Sequence, residues 1–435
     1  MDHLSYWVQD FLDFVVETLD WITDLGPARF CRVFWAMLFL EVPRYVLTDF
    51  YILVVWLLKG GRTPQPALPT DPPLVSVVMP ALNEEETIEY TVKSIREQEY
   101  PNLEIVVIDD GSTDRTPQIC KTLADRGWIR FLRMERRQGK SAALNFGVRA
   151  CRGEYVIFMD TDSTLDRGAI IRLLEPFQDP RVGAVAGNLE VRNRGECLLT
   201  RFQALEYMTA MSVGRRFKAH AGILSIVPGA FGAFRRALLE RVGGHEPGPG
   251  NDSDLTIRVR KLANRVAFAG DAICLTSAPT TWRSWIKQRL RWDRNIIRNR
   301  VRKHRDIFDV FQSNFSFGTL VSFLDILFFA IVLTFMWVAY IIDTLIQFPH
   351  QFPVIFLANF VMHLVLKLAQ WTVGMTFSTR PRDHFRLLAV IPVFGLYRLS
   401  CKLVRIVATV QELLFRISYK DPFAPEKVQR EMEIY

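Results

Sequence analysis

Cysteine is scarce in this sequence and is not arranged for a structural role. The chain has 435 residues and six cysteines. They are scattered, with no Cys-x-x-Cys pair and no cluster of cysteine and histidine at the spacing of a zinc site. We therefore expect neither a structural zinc ion nor a disulfide framework. The six thiols, at positions 31, 120, 151, 197, 274 and 401, are most simply interpreted as reduced packing residues.

A signal peptide is also missing from the first 25 residues, which have no basic start and no small-residue cleavage site. Acidic residues recur there at three- and four-residue spacing among aromatic and aliphatic ones. This pattern predicts an amphipathic helix that lies on the membrane surface. The acidic residues are Asp10, Asp13, Glu17, Asp20 and Asp24.

Net positive charge is confined to one segment. Residues 282–305 contain ten lysines and arginines and a single acidic residue, which accounts for the whole net charge of +8. A basic block directly before an apolar run is typical of the cytoplasmic boundary of a membrane helix. We therefore expect a membrane boundary at this block, and no nucleic-acid partner.

Long apolar runs are absent from the centre of the chain, although hydrophobic residues make up 49% of it. After the basic block, residues 318–344 and 353–378 are each long enough to span a bilayer. Residues 387–415 are also apolar, but a proline and a basic stripe favour an interfacial or half-inserted helix over a third span. The stripe consists of Arg398, Lys402 and Arg405.

Residues 30–58 are apolar enough to enter the membrane, but charged residues interrupt them. One kinked span and a two-legged hairpin both fit this segment. Charged side chains at membrane depth are costly unless they face protein or water. The four in question fit a hydrated path and ion pairing within a helix bundle equally well; they are Glu41, Arg44, Asp49 and Lys367.

The centre of the chain alternates between strand-like and helix-length segments. This alternation predicts βαβ units and a largely parallel sheet, which binds its ligands at the carboxyl ends of the strands. The predicted strands are residues 75–79, 104–108, 129–133 and 155–159, and the predicted helices are residues 84–97, 115–125 and 139–150.

Two pairs of acidic residues directly follow predicted strands. Asp109 and Asp110 close one strand, and Asp160 and Asp162 close another. Each pair alone could be a solvated turn. On neighbouring strands, however, such carboxylates can share a hard divalent cation, which in turn can bind a diphosphate.

Two further motifs lie later in the central region. Asp252 and Asp254 stand at the start of a predicted helix, where either could cap the helix, and where a carboxylate beside a metal would stay ionised as a general base must. Gln288, Arg291 and Trp292 share one helix face and offer an amide, a cation and an aromatic plate. The nearby tryptophans, Trp282 and Trp285, fit interfacial anchoring equally well.

In this order the four motifs resemble those of the membrane family 2 glycosyltransferases, which include cellulose, chitin, hyaluronan and poly-N-acetylglucosamine synthases. The resemblance covers residues 74–305 and extends to membrane segments on both sides. It implies an α/β GT-A domain with a mostly parallel sheet, inserted between N- and C-terminal transmembrane and interfacial helices. It also implies inverting transfer from a UDP-sugar to the growing end of a β-linked polysaccharide, with Mg²⁺ or Mn²⁺ as cofactor and coupled export. UDP-N-acetylglucosamine and UDP-glucose are the favoured donors.

The resemblance implies a role for each matching residue. Asp252 is expected to be the general base, and Asp162, with Asp160, the metal-binding residue. The expected catalytic partners are Gln288, Arg291 and Trp292, and the expected substrate-binding residues are Asn83, Glu84, Asp109, Asp110, Lys140, Asp160, Gly229 and Gly232. One departure stands out, because Asn251 precedes the base where the family usually has Glu.

These features predict five parts of the chain and a location in the cell membrane with the catalytic domain in the cytoplasm. The parts are residues 1–58 with the amphipathic helix and transmembrane segments, a proline-rich linker at 59–73, the GT-A domain with its Gln-x-x-Arg-Trp helix at 74–305, the C-terminal membrane helices at 306–420, and a polar tail at 421–435. The expected partners are a UDP-sugar, a polysaccharide acceptor, membrane lipids, and an oligomer or export subunit that completes a channel. Two alternatives stay open: transfer of a single sugar to a lipid, and a weakly catalytic scaffold subunit, the latter suggested by Asn251 alone.

Overall fold

The computed structural model describes residues 9–10, 13–14, 16–17, 20–61, 68, 70–312, 315–420 and 425–431. Much of the predicted N-terminal amphipathic helix, part of the proline-rich linker and most of the polar tail therefore lie outside the described residues. The rest forms a central α/β domain and a set of apolar helices packed against it.

An eight-stranded mixed sheet forms the centre of the α/β domain, with the strand order β3-β2-β1-β4-β7-β6-β8-β5. β1 pairs in parallel with β2 and β4, β2 with β3, and β6 with β8, whereas β7 runs antiparallel to both β4 and β6. The strands are β1 (Val75–Ala81), β2 (Leu103–Asp109), β3 (Arg130–Arg133), β4 (Tyr155–Met159), β5 (Thr164–Leu165), β6 (Val182–Val191), β7 (Phe231–Arg235) and β8 (Arg265–Thr276). The four predicted strands are confirmed, and the second half of the sheet adds four that the alternation did not place.

Helices connect the strands and form the apolar layer. The α-helices are Pro27–Val33, Val42–Leu58, Ile88–Arg96, Thr116–Asp125, Lys140–Ala150, Ala169–Leu174, Leu198–Glu206, Gly214–His220, Arg236–Val242, Asn251–Lys261, Trp282–Ile297, Phe317–Ile326, Leu333–Gln347, Phe352–Thr376, Pro381–Phe385, Phe394–Phe415 and Glu426–Glu431. π-Helical segments cover Met37–Glu41, Tyr207–Val213, Arg298–Lys303 and Leu327–Val332, and 3₁₀ segments cover Glu175–Gln178, Arg305–Phe308, Arg386–Val393 and Ile417–Lys420.

The sheet is covered on both faces, because alternate residues of its central strands enter two different hydrophobic clusters. Val77 of β1 packs into the cluster that includes the helix Ile88–Arg96, whereas Val78 packs against the helices Lys140–Ala150 and Asn251–Lys261. The first cluster continues into the C-terminal apolar helices. The α/β domain and the membrane-side helices therefore share one core.

The carboxyl ends of β1, β2 and β4 meet at one edge of the sheet. Ala81 is in register with Asp109, and β4 lies on the other side of β1. Because β7 runs antiparallel to β4, with Phe231 opposite Met159, the residues before β7 reach the same edge. The loops after three strands and before a fourth therefore converge, as the predicted parallel topology requires.

Among the described residues, three helical stretches are long and apolar enough to cross a membrane: Phe317–Gln347, Phe352–Thr376 and Pro381–Phe415. The first two correspond to the predicted spans. The third meets the same criteria even though Pro392 lies within its 3₁₀ segment. Length and composition therefore do not support the preference for an interfacial helix there.

The N-terminal apolar segment is helical from residue 27 to 58 apart from one residue, Phe34. Two antiparallel helices need a connecting loop of about two to five residues, so this arrangement favours a kinked segment over a hairpin. The segment packs on the C-terminal helices. Phe34 is buried beside Ile355, and the Tyr340 hydroxyl donates a hydrogen bond of 2.8 Å to the Val33 carbonyl.

The charged residues of the apolar helices pair with one another. Glu41 forms ion pairs with Arg398 at 3.1 Å and Lys402 at 3.4 Å. The third residue of the basic stripe, Arg405, pairs at 3.0 Å with Asp293 of the Gln-x-x-Arg-Trp helix. The stripe therefore joins helices inside the protein, and for Glu41 the structure favours ion pairing over a hydrated path.

The other three charges have different surroundings. The Lys367 ammonium group donates to Gln370 at 2.7 Å and to Thr209 at 3.2 Å. The Arg44 guanidinium group lies 3.9 Å from the ring centre of Phe329. Asp49 is buried, with one carboxylate oxygen that has no hydrogen-bond partner among the described residues. These contacts also place the charges within a helix bundle.

Candidate active site

The two acids after β2 organise the loops around them. Asp109 is fully buried, accepts a hydrogen bond of 3.0 Å from the Ser112 amide and pairs with Arg133 at 3.2 Å. Asp110 accepts hydrogen bonds from the amides of Gln138 and Gly139 at 2.7 and 2.8 Å. Burial raises the pKa of the Asp110 carboxyl, against the opposing effect of these two donors. Asp110 thereby holds the loop that leads into the helix Lys140–Ala150.

The loop after β1 is tied to the loop after β2. Asn83 has a left-handed backbone conformation, with φ of 57°, which asparagine tolerates better than most residues. Its side-chain oxygen accepts a hydrogen bond of 2.9 Å from the Thr113 amide, and its own amide donates to the Ser112 hydroxyl at 3.0 Å. Asn83 therefore fixes the geometry of the edge at which the predicted nucleotide loop lies.

Glu84 follows Asn83 and faces the Asp-x-Asp pair. Its carboxylate accepts a hydrogen bond of 2.7 Å from the Thr87 hydroxyl. Burial raises the pKa of Glu84, and the nearby charges of Asp162 and Asp160 raise it further. Three carboxylates are thus close enough at this edge to repel one another.

Lys140 brings a cation to this edge. It is the first residue of its helix, and its ammonium group lies 2.5 Å from a carboxylate oxygen of Asp160, with both side chains partly open to solvent. Burial lowers the pKa of Lys140, but the carboxylates of Asp160 and Asp252 outweigh that effect and raise it. Lys140 is therefore a stable positive charge between the two predicted acidic motifs.

Asp162 differs from Asp160 in having no ion pair within 4.0 Å among the described side chains. It accepts a hydrogen bond of 3.0 Å from the Ser163 hydroxyl. Burial raises the pKa of Asp162, and Asp160 adds to the shift. This uncompensated carboxylate suits a divalent cation better than Asp160 does.

The described residues contain no group of three or more His, Cys, Asp or Glu side chains that could hold a metal ion on their own. A Mg²⁺-type site does not require one, because such ions often bind through one or two carboxylates together with waters and substrate phosphates. Glu84, Asp160 and Asp162 carry more negative charge than Lys140 can neutralise. This excess of negative charge therefore fits the binding of a cation together with a diphosphate.

The two acids at the start of the helix Asn251–Lys261 have different surroundings. Asp254 is buried and accepts contacts from Arg258 at 2.8 Å, Lys303 at 2.6 Å and His304 at 2.8 Å. Burial would raise the pKa of Asp254, but these partners hold it well below its usual range. Asp254 is thus an internal anchor, which removes it as a candidate for the general base.

Asp252 has no ion pair within 4.0 Å in the described part of the chain, and it accepts a hydrogen bond of 2.7 Å from the Ser253 amide. The position of Gly229 shows how close Asp252 lies to Lys140. A methyl group placed on Gly229 would lie 3.7 Å from the Lys140 ammonium nitrogen and 3.8 Å from the Asp252 Cβ atom. Asp252, Gly229 and Lys140 therefore line the same cleft.

Asn251 joins the two helices that carry these residues. Its side-chain amide donates a hydrogen bond of 3.3 Å to the hydroxyl of Ser141, the residue after Lys140. An amide can make this contact without adding a negative charge beside Asp252. The departure from the usual Glu therefore leaves Asp252 in place but removes one charge next to it.

The Gln-x-x-Arg-Trp motif lies on the helix Trp282–Ile297, whose start is capped by the Thr281 hydroxyl. Arg291 is close enough for its charge to lower the pKa of Lys140, after the larger effect of burial. The Gln288 side-chain oxygen is buried without a hydrogen-bond partner in the described structure. Trp292 is partly buried, with the Arg289 guanidinium 4.8 Å from the centre of its ring. The motif thus adjoins the cleft at Arg291.

A buried network that the sequence did not reveal supports this helix. Arg289 forms a bidentate ion pair with Glu206 at 2.8 and 2.5 Å. The hydroxyl of Tyr397, on a membrane-side helix, donates to Glu206 at 2.6 Å and accepts from the Trp285 indole at 3.2 Å. Trp285 is fully buried, so its interpretation as an interfacial anchor is wrong, whereas Trp282 is exposed. The hydrogen-bonded partners are more than 80 residues apart in sequence, so local sequence patterns could not predict the network.

Replacing Tyr397 by Phe should destabilise the protein by about 1–3 kcal/mol, because the Trp285 indole and one Arg289 donor would lose a buried acceptor. The apparent melting temperature of the detergent-purified protein would measure the effect. Replacing the exposed Tyr90 by Phe is the matched control. Equal melting temperatures for both variants would contradict a structural role for the network.

Residues 76–243 match the family model described as Glycosyl transferase family 2. The chain contains a family 2 glycosyltransferase domain. The match begins within β1 and ends at the glycine that follows the helix Arg236–Val242. For residues 76–243, which hold the first two of the four motifs, this match agrees with the predicted family.

The alignments of this chain with two relatives extend beyond the glycosyltransferase domain. The chain is 34% identical over 276 residues to "Probable glycosyltransferase YdaM" of Bacillus subtilis, covering 58% of this chain and 65% of the relative. It is 27% identical over 321 residues to a poly-beta-1,6-N-acetyl-D-glucosamine synthase of Staphylococcus epidermidis, covering 70% and 75% of the two chains. The matched region therefore spans just under two thirds of the first relative and three quarters of the second.

A solved structure confirms the GT-A fold of the glycosyltransferase domain. It is the mannosyltransferase PcManGT from Pyrobaculum calidifontis, in complex with GDP-Man and Mn²⁺. The two share 24% sequence identity and align with a TM-score of 0.54, over 86% of this chain and 96% of the other. The likeness therefore extends well beyond the domain's own boundaries.

The glycosyltransferase domain brings most of the predicted site residues to one edge of the sheet. Two of the predicted site residues, Asp109 and Gly232, are packed inside the sheet and its loops and do not line the cleft. Asp109 is enclosed by protein groups, and Gly232 lies within β7, where a methyl group would come within 2.2 Å of Val227. The residues at the edge are Asn83, Glu84, Asp110, Lys140, Asp160, Asp162, Gly229, Asp252 and Arg291. The role of each residue stays a prediction.

Proposed function

We propose that this protein is an inverting, metal-dependent glycosyltransferase that moves a sugar from a UDP-sugar to the growing end of a β-linked polysaccharide. The observation that carries the proposal is the cleft in which Lys140 lies between Asp160 and Asp252. In this proposal, Lys140 and the metal-binding carboxylates lie on one side of the reacting centre, and Asp252, which has no ion pair among the described residues, lies on the other. A single displacement with inversion needs this arrangement and no second nucleophile.

The donor side binds the UDP-sugar. Asp162, assisted by Asp160, would hold Mg²⁺ or Mn²⁺, which neutralises charge on the diphosphate. Lys140 and Arg291 add fixed positive charge for the leaving UDP. Because Lys140 already contacts Asp160, it can exchange a carboxylate partner for a phosphate oxygen with little movement.

The acceptor side activates a hydroxyl group. Asp252 accepts the proton of the acceptor hydroxyl as its oxygen bonds to the anomeric carbon and the bond from that carbon to the diphosphate breaks. Trp292 offers an aromatic face to the acceptor sugar. Attack from the side opposite to UDP converts an α-linked donor into a β-linked product.

The relatives and the apolar helices support a polysaccharide product. The Staphylococcus epidermidis relative is named for a polymer of N-acetyl-D-glucosamine, which favours UDP-N-acetylglucosamine over UDP-glucose. Three membrane-capable helices and the basic block before the first of them support a membrane protein with its catalytic domain in the cytoplasm. Export, an oligomer or partner subunit to complete a channel, and the five-part division of the chain belong to the same proposal.

The second candidate function is transfer of a single sugar to a lipid. It is favoured by a surplus of cationic side chains between Asp252 and the membrane-side helices, described below. The scaffold alternative gains no support from Asn251, since Asp252 keeps its place in the cleft.

UDP release by the detergent-purified protein, measured with a panel of UDP-sugars, tests the proposal. We expect turnover with one donor in Mg²⁺ or Mn²⁺, its loss in EDTA, and a high-molecular-weight product on sizing gels. A short or lipid-linked product would replace polymer synthesis by single transfer. No turnover with any donor and metal would contradict the enzymatic proposal for the isolated chain.

A further inference from the structure

Between Asp252 and the membrane-side helices, a buried arginine has hydrogen-bond donors without partners. Arg300 is fully buried. Its Nη1 atom donates to the hydroxyl of Ser253, the residue after Asp252, at 3.1 Å, and its guanidinium lies 5.7 Å from the ring centre of Phe323. Its Nε and Nη2 atoms have no hydrogen-bond partner in the described structure. Arg300 thus connects the neighbour of the predicted base with the first membrane-capable helix.

A second arginine faces the same carboxylate. Arg215, on the helix Gly214–His220, has a buried Nη1 atom that also lacks a partner among the described residues. Burial lowers the pKa of Arg215, and it lowers that of Arg300 to about 10, while the charge of Asp252 opposes the shift in both. Both guanidinium groups therefore lie within electrostatic range of Asp252.

Two further cations extend this cluster towards the membrane. Lys218 lies one helical turn after Arg215, on the same helix face, and forms an ion pair with Asp325. Burial lowers the pKa of Lys218, Asp325 raises it, and the charges of Arg44 and Arg300 lower it. The N-terminal helix Val42–Leu58 reaches the cluster with Arg44.

The cluster has more positive than negative charge. Its four cations, Arg44, Arg215, Lys218 and Arg300, are accompanied by two carboxylates, Asp252 and Asp325. Lys218 pairs with Asp325, Arg300 contacts Phe323, and Arg44 contacts Phe329 on the continuation of the same membrane-capable stretch. Buried charges and unmet donors are costly unless a counter-ion or hydrogen-bond acceptor joins them. The planar donor fork of arginine matches the oxygens of a phosphate group. The charge surplus and the unmet donors of Arg215 and Arg300 therefore suit a bound phosphate.

We propose that these four cations form an anion subsite that binds the phosphate group of a membrane amphiphile and holds that acceptor beside Asp252. The inference rests on the proposed function, because it names the class of acceptor. The phosphate is bound and not consumed, and the reacting hydroxyl still loses its proton to Asp252. In polymer synthesis such a lipid is the starting acceptor, and in single transfer it is the acceptor itself.

The position of the cluster favours a lipid over a soluble phosphate. Its members come from the N-terminal apolar helix, the helix Gly214–His220 and the segment just before the first membrane-capable helix. The rings of Tyr51 and Phe217 pack at 5.5 Å, joining two of these elements beside it. Exposed apolar residues of the N-terminal helix, such as Val46, Leu47 and Phe50, would face the acyl chains of a bound lipid.

Binding of phosphatidic acid to the full-length, detergent-purified protein tests the subsite. Phosphatidylcholine vesicles with and without a minor fraction of phosphatidic acid serve as the probe, and inorganic phosphate is the soluble comparison. Arg215→Gln should weaken retention of phosphatidic acid at least tenfold. The control is Arg216→Gln on the same helix, which also removes one positive charge but affects a guanidinium that pairs with Asp271 at 2.7 Å. It should change retention less than twofold.

A second variant keeps the test valid if the loss of a buried charge disturbs folding. Arg300→Lys retains the charge but not the planar fork, and it should weaken retention while the melting temperature is monitored. Equal retention by the wild type, Arg215→Gln and Arg216→Gln would overturn the subsite. Full competition by inorganic phosphate at equal concentration would overturn the assignment to a lipid.

The UDP-release assay separates the two proposals. UDP release from one donor, together with retention of phosphatidic acid that Arg215→Gln leaves unchanged, would refute the subsite and leave the transferase function intact. Retention of phosphatidic acid that depends on Arg215, with no UDP release from any donor, would refute the transferase function and leave the subsite intact.

Discussion

Replacing Asp252 by Asn is expected to lower kcat by about 10²- to 10⁴-fold, the usual contribution of a general base. The side chain keeps its size and its hydrogen bond from the Ser253 amide, so donor binding should change little. Asn cannot accept the proton of the acceptor hydroxyl. Steady-state UDP release over a range of donor concentrations gives kcat and KM separately, and only kcat should fall.

Asp254 provides the matched control, because the same chemical change two residues along should have a different effect. Its carboxylate neutralises Arg258 and Lys303 and bonds His304. Breaking a buried ionic cluster costs about 3–5 kcal/mol, so Asp254→Asn should mainly lower the melting temperature. An Asp252→Asn variant with more than a tenth of wild-type kcat would show that another group accepts the proton.

Replacing Asp162 by Asn is expected to reduce metal-dependent turnover on the order of 10²- to 10³-fold, as loss of one fixed electrostatic partner of a transition state typically does. The variant should also need more Mn²⁺ or Mg²⁺ for half-maximal rate. The reason is that Asp162 has no ion-pair partner among the described side chains, whereas Asp160 already pairs with Lys140. Titration of UDP release with each metal measures both effects.

Asp166→Asn is the control for this change, since Asp166 lies four residues further along the chain, is 39% exposed and pairs with Arg380 at 2.9 Å. It should leave the metal titration unchanged. Identical titrations for Asp162→Asn and the wild type would exclude Asp162 as a metal-binding residue. In that case Glu84, on the facing loop, would be the next carboxylate to replace.

The first half of the sheet was predictable because its signals are local. β1, β2 and β4 are short apolar runs, helix-length segments separate the strands β1 to β4, and parallel strands place their carboxyl ends at one edge. The acids at Asp109, Asp110, Asp160 and Asp162 therefore had to lie near one another. The structure confirms that arrangement.

The second half of the sheet was not predictable in the same way. β7 is five residues long and lies antiparallel between β4 and β6. Residues 192–230, which are largely helical, separate it from β6, and β4 lies further back in the sequence. The sequence of such a strand shows only a short apolar segment, and it does not indicate which distant strands will pair with it. The position of Gly229 at the cleft depends on this pairing. The family resemblance was therefore the only basis for predicting Gly229 as a site residue.

By itself, the sequence determined the parallel half of the sheet, two of the membrane-capable helices and the set of candidate acids, because each follows from short local runs and spacings. The family was predicted from a resemblance of four motifs in order. The tertiary structure alone decided which acids stay available for chemistry. Asp254 and Asp252 have the same place in the sequence pattern, but Lys303 and His304, some 50 residues away, pair with and hydrogen-bond Asp254, whereas Asp252 has no ion pair within 4.0 Å in the described structure. The partner of a charge depends on what folding brings within a few ångströms, which local patterns do not record.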